Sequence, residues 1–110
     1  MAPTPDPPYV AVIFTNMRTP GDDEGYDAAA ARMTTLASEI DGFLGIESVR
    51  GSSGEGITVS YWANAEAVET WRTHPDHLDT QGRGRRDWYA WYELRVGIVD
   101  RATSYRAPNV

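Results

Sequence analysis

The chain has no cysteine, which removes disulfides and thiolate chemistry together. Basic residues are outnumbered 10 to 16, and the net charge of −6 argues against a nucleic-acid-binding module, which would carry a basic face. No apolar run approaches the length of a membrane span, so no membrane partner is expected. The opening residues, MAPTPDPP, lack both the basic and the apolar regions of a secretory signal, and the expected compartment is the cytoplasm. Only two histidines are present, His74 and His77.

What is there is ordinary globular material, 41% hydrophobic and 24% charged over 110 residues. That length supports one domain with a single core, small enough for a partner subunit to help stabilise it. The stretch from Trp71 to Val99 is the densest in chemistry. It holds three of the four tryptophans, both histidines and five of the ten basic residues.

Residues 1–8 contain four prolines and read as an extended, poorly ordered tail. The domain proper is expected over residues 9–100, followed by a polar tail at 101–110. YVAVIFTNM, Tyr9 to Met17, is a first strand with two largely apolar faces. Val10, Val12, Phe14 and Asn16 make one face, with Asn16 as its polar exception. Thr19-Pro20-Gly21 ends the strand, and Asp22, Asp23 and Glu24 supply the charge a helix N-terminus favours. Tyr26, Ala29, Ala30, Met33, Leu36, Ala37 and Ile40 then recur at helical spacing.

Phe43 to Arg50 and Ile57 to Trp62 read as a hairpin joined by a glycine- and serine-rich turn. Asn64 suits the N-cap of a short helix with Ala67, Val68 and Trp71 inside. Pro75 suits the first turn of the next helix, where Leu78, Gln81, Arg85 and Trp88 would share a face. A closing strand runs Tyr89 to Val99. The order β-α-β-β-α-β predicts a ferredoxin-like α+β fold, a four-stranded antiparallel sheet with helices on one face. The uncovered face would carry Ile13, Met17, Tyr89 and Trp91, too apolar to stay wet, so a homodimer is expected.

Two segments, VSYWANAEAVETWRTHPDH and GRRDWYAWYELRV, resemble the antibiotic-biosynthesis-monooxygenase family over roughly residues 9–100. The resemblance implies a dimeric α+β barrel. It also implies either of two chemistries. Some members oxygenate quinol-like or aromatic polyketide substrates with dioxygen as co-substrate and neither metal nor flavin. Others bind and degrade haem, using an Asn on the first strand, a Trp in the second helical region and a His further along. Asn16 and Trp71 match the first two of those positions. Gln81 stands where the haem-ligating His is expected, which disfavours haem.

The resemblance and the residues together nominate Asn16, Trp71 and His77 as the catalytic group. Asn16 and His77 would handle the substrate's oxygens and proton, and Trp71 would hold its ring. Asn16 would share one cavity with Trp71 if its face is the helix-facing one. The plainer alternatives are that Asn16 caps the turn at Thr19-Pro20, that Trp71 is core, and that His77 faces solvent. Phe14, Trp62, His74, Gln81, Arg85 and Tyr92 are the candidate substrate-binding residues; Arg85 could hold a carboxylate or enolate oxygen. The plainer reading of His74 is as a helix N-terminal residue, and that of the Arg83, Arg85, Arg86 cluster is as a solvated face. No metal site is expected from the two histidines. The expected activity is oxidation of a small aromatic substrate, with a haem-binding protein or a non-catalytic ligand-binding dimer as the alternatives.

Overall fold

In the computed structural model, which describes residues 2–108, the chain orders its elements as expected. They are β1 (Tyr9–Arg18), α1 (Asp23–Ser38), β2 (Phe43–Arg50), β3 (Glu55–Trp62), α2 (Ala65–Arg72), α3 (Pro75–Arg83) and β4 (Tyr89–Val99). A π-helical turn, Gly84–Trp88, joins α3 to β4. The strands lie in the order β2-β3-β1-β4 and every neighbouring pair is antiparallel. This is the ferredoxin-like arrangement, in which β3 is inserted between the two strands that flank α1. No helix among the described residues is long and apolar enough to cross a membrane.

Local chemistry sets the helix starts. Asn64 Oδ1 accepts the Ala67 N–H at 2.9 Å to begin α2, and His74 Nδ1 accepts the Asp76 N–H at 3.1 Å to begin α3, with Pro75 in its first turn. Asp22 precedes α1 in a left-handed conformation, φ 49°, and makes no cap. Its carboxylate instead accepts the Trp88 Nε1–H at 2.9 Å, tying the start of α1 to the π-turn. At Gly42, φ 96°, an added Cβ would meet the Ala67 Cβ at 2.8 Å, so glycine lets the turn before β2 close onto α2.

The register places Val10, Val12, Phe14 and Asn16 opposite Trp62, Ser60, Thr58 and Gly56 on one side and Ile98, Val96, Leu94 and Tyr92 on the other. This is the helix-facing surface. Its core joins Val10 and Trp62 of the sheet to Ala37 of α1 and Ala67 of α2, with Val12, Ile40, Phe43, Val68 and Trp71 packed around them. Trp62 is completely buried and its Nε1–H is satisfied by Ser60 Oγ at 2.9 Å.

The structure adds to one expectation and corrects two. Residues 2–8, expected as an extended tail, lie against the helix-free face. The Ala2 N–H donates to Glu47 Oε2 at 3.0 Å and Thr4 Oγ1 donates to the Tyr9 hydroxyl at 3.1 Å. Glu47 also accepts the Tyr61 hydroxyl proton at 2.6 Å, which holds the carboxyl below its ordinary range and pushes the phenol up to about 12. Tyr9 and Ala11 are buried on this face although no helix covers it.

Tyr89, assigned to the uncovered face, turns toward the helices instead. A register shift between Met17 and Arg18 is the cause: Trp91 opposes Met17 but Tyr89 opposes Arg18, so β4 spends two residues against one of β1. The face shared by Leu78, Gln81, Arg85 and Trp88 does not hold together either. Leu78 is 48% exposed while Trp88 is buried, because the π-turn widens the spiral, with Tyr89 N–H bonding Gly84 O.

Candidate active site

The sheet's helix-facing surface and the three helices enclose a cavity of about 240 Å³. Small residues make the space: Ala29 and Ala30 on α1, and Ser48, Thr58 and Ser60 on the sheet. Aromatic residues then close its two ends. That volume falls just under the roughly 300–1,000 Å³ of drug-sized sites, so a ligand of one or two rings suits it.

At the first end, Trp62, Trp71 and His77 form a stack. The indoles lie 6.3 Å apart at 24°, and the imidazole lies 4.2 Å from Trp71 at 15°. His77 Nδ1 sits 3.0 Å from the backbone oxygen of Trp71. A carbonyl can only accept, so Nδ1 carries the proton and Nε2 keeps its lone pair. Burial holds the imidazole below its ordinary 6.5, outweighing the upward pull of the Trp71 bond, and nearby His74 adds to the lowering. His77 is therefore a neutral acceptor at pH 7 on the cavity wall.

The other end is a cluster of phenols and Phe14. Tyr26 from α1 and Phe14 from β1 each meet Tyr89 nearly edge-on at 5.9 and 5.4 Å, and Tyr92 packs 5.4 Å from Phe14. Guanidinium groups stand behind the hydroxyls. Arg50 Nη2 donates to the Tyr26 hydroxyl at 2.8 Å, and Arg85 Nη1 donates to the Tyr92 hydroxyl at 2.9 Å. The Tyr89 hydroxyl donates to Tyr26 at 3.4 Å; burial, then this bond, pushes its ionisation well above the ordinary phenol value.

Of the residues nominated from sequence, Phe14, Trp62, Trp71, His77, Gln81 and Tyr92 line this cavity. His74, Arg85 and Asn16 do not. The Nδ1 of His74 is taken by its cap, and Arg85 lies behind Tyr92. Asn16 is on the helix-facing side as expected, but it does not open into the space that Trp71 lines. Phe14, two residues earlier on the same face, and Tyr92, its cross-strand partner, both line the cavity, so Asn16 lies behind this aromatic wall. It is 1% exposed, and among the described residues neither Nδ2 nor Oδ1 has a hydrogen-bond partner.

Tyr26 and Tyr89 are wall residues that the sequence reading passed over. Tyr26 shares the helical stripe of Ala29, Ala30 and Met33 and could have been nominated with them; Tyr89 was hidden by the bulge. Among the described residues there is no group of three or more His, Cys, Asp or Glu side chains placed to hold a metal ion.

The sequence model of the antibiotic biosynthesis monooxygenase family matches residues 9–83. YqjZ of Bacillus subtilis, an uncharacterised protein, is 48% identical over 101 residues, covering 92% of this chain and 88% of its own. A jasmonate monooxygenase of Pyricularia oryzae is 33% identical over 93 residues, covering 81% of this chain but only 42% of that enzyme. Among solved structures, the cofactor-independent oxygenase SnoaB of Streptomyces nogalater superposes with a TM-score of 0.69 at 13% identity, covering 89% of this chain and 97% of that one. At that identity the likeness is one of fold.

Proposed function

Because the chain belongs to the antibiotic biosynthesis monooxygenase family, we propose that it oxygenates a small phenol, quinol or enol-bearing ring, using dioxygen directly. The observation that carries this reading is the 3.0 Å contact of His77 Nδ1 with the backbone oxygen of Trp71. With Nδ1–H committed to Trp71 O, Nε2 is left as a base beside an aromatic stack that can hold a flat ring.

In the proposed reaction Nε2 takes the hydroxyl proton of the substrate. The resulting anion is electron-rich enough to give an electron to dioxygen, and carbon–oxygen bond formation at a ring C–H, with return of the proton from His77, yields a hydroperoxide. Loss of water then turns that C–H carbon into C=O. One oxygen atom is retained, the other leaves as water, and the substrate supplies all the electrons. Trp71 and Trp62 orient the ring, and the apolar walls keep bulk water from the anion.

Two features count against a haem group: Gln81 offers an amide where haem-degrading relatives carry an imidazole, and the cavity has room for one or two rings. Assembly as a homodimer belongs to the same proposal. Val49, Ile57 and Trp91 on the helix-free face are 58%, 46% and 51% exposed, and a second sheet packed there would cover them.

The test is dioxygen uptake by metal-stripped protein with hydroquinones, anthrone-like phenols and, in view of the Pyricularia relative, a jasmonate. Uptake above autoxidation that falls about 10²–10⁴-fold in His77→Gln supports the reading. Uptake unchanged by that substitution, or a strong Soret band on adding haemin to a protein silent with the whole panel, would overturn it.

A further inference from the structure

We infer that the cavity is polarised end to end, and that it selects a ligand with an ionisable hydroxyl at one end and an anionic oxygen acceptor, a carboxylate, at the other. The inference rests on the proposal that this cavity is the ligand site, and it names the substrate class. At the His77 end the free ring nitrogen can only accept a proton.

At the tyrosine end the logic reverses. The Tyr92 hydroxyl oxygen accepts from Arg85, and the Tyr26 hydroxyl oxygen accepts from both Arg50 and Tyr89. A phenol whose oxygen is occupied by donors must point its own proton elsewhere. Among the described residues neither Tyr26 nor Tyr92 gives that proton to an acceptor, and both line the cavity.

The charges behind these hydroxyls reinforce the direction. Arg50 and Arg85 polarise the two phenols, and the Arg18 guanidinium lies 4.0 Å from the centre of the Tyr26 ring. Among the described residues no Asp or Glu lines the cavity, although the chain as a whole carries a net charge of −6. Asp22 and Asp23, at the start of α1, are engaged, the first by Trp88 and the second by Arg18. An acidic protein has thus kept one end of its cavity positive and donor-rich. Charge-assisted hydrogen bonds of this kind are about twice as strong as neutral ones, and a carboxylate is the ligand group that uses both hydroxyls.

Two fluorescent two-ring probes test this, 6-hydroxy-2-naphthoate and 2-naphthol, which share the ring and the hydroxyl and differ in the carboxylate. Hydroxynaphthoate is expected to bind roughly tenfold or more tightly, with Tyr92→Phe and Tyr26→Phe each removing a large part of that preference and leaving 2-naphthol within about twofold. Non-specific attraction cannot mimic this, because the net charge of the protein disfavours the anion. Equal affinities in the parent protein, or a preference that survives both substitutions, would overturn the inference and leave the proposed function standing. Failure of both probes to bind would remove the two together.

Discussion

Trp71 holds His77 twice, through its ring stacked 4.2 Å from the imidazole and through its backbone oxygen 3.0 Å from Nδ1. The two attachments are separable. Substitution of Trp71 removes the ring and leaves the carbonyl, so the tautomer should survive while the burial of the imidazole is reduced.

Since burial is the main cause of the lowered pKa of His77, Trp71→Ala should move its titration midpoint upward, toward 6.5. Histidine NMR titration of parent and variant measures this directly. A midpoint in the parent at or above 6.5 would contradict the burial argument. Trp71→Phe, which keeps a flat ring, should shift it less.

Stability should depend on pH in the same region. A histidine whose folded pKa lies below its unfolded 6.5 favours the folded state fully at higher pH, and the contribution is lost as pH falls from 6.5 through the folded value. Thermal unfolding followed from pH 8 to pH 5 should therefore show a falling midpoint, and His77→Gln should flatten part of that slope. A slope unaltered by the substitution would assign the acid sensitivity to other groups.

Asn16 is buried with both side-chain polar atoms unpartnered, which costs the folded state about 1–3 kcal/mol if nothing satisfies them. Asn16→Leu, close in size and apolar, should raise the unfolding free energy in urea by an amount of that order. If Asn16 serves the reaction when the aromatic wall moves, the same variant should lose dioxygen uptake. A loss of stability instead would mean the amide is satisfied in solution.

Trp91 tests the sheet face. A charge placed within an apolar contact is costly, so Trp91→Glu should convert the proposed dimer to monomers in sedimentation velocity. The Glu93–Arg95 pair, at 2.6 Å, lies on the same face and would be enclosed with Trp91 in that contact, so neutralising one partner alone should also weaken the dimer.

Most of the scaffold was legible because its signals are local. Asn64 and His74–Pro75 announce two helix starts in side-chain chemistry alone, and the alternation in β1 names the residues of each face. Six cavity residues followed from that alternation and from the resemblance. The misreadings share a different origin. Tyr89 was put on the wrong face because one bulge inverts the alternation, and the spiral after Leu78 drifted because five residues form a π-turn. Neither irregularity has a composition of its own. Asn16 was placed on the correct face, yet whether it opens into the cavity depends on how Phe14 and Tyr92 pack, which spacing does not encode.

The anchoring of residues 2–8 bears on how the protein should be handled. With Ala2 bonded to Glu47, residues 2–8 occupy part of the very surface proposed for the second copy. A purification handle added at that end would start inside the contact zone and could itself shift the measured mass of the assembly. Tyr105, toward the other end, is 87% exposed, and a handle fused beyond it gives the comparison. Association measured on the two fusions side by side would separate the behaviour of the sheet from that of the handle.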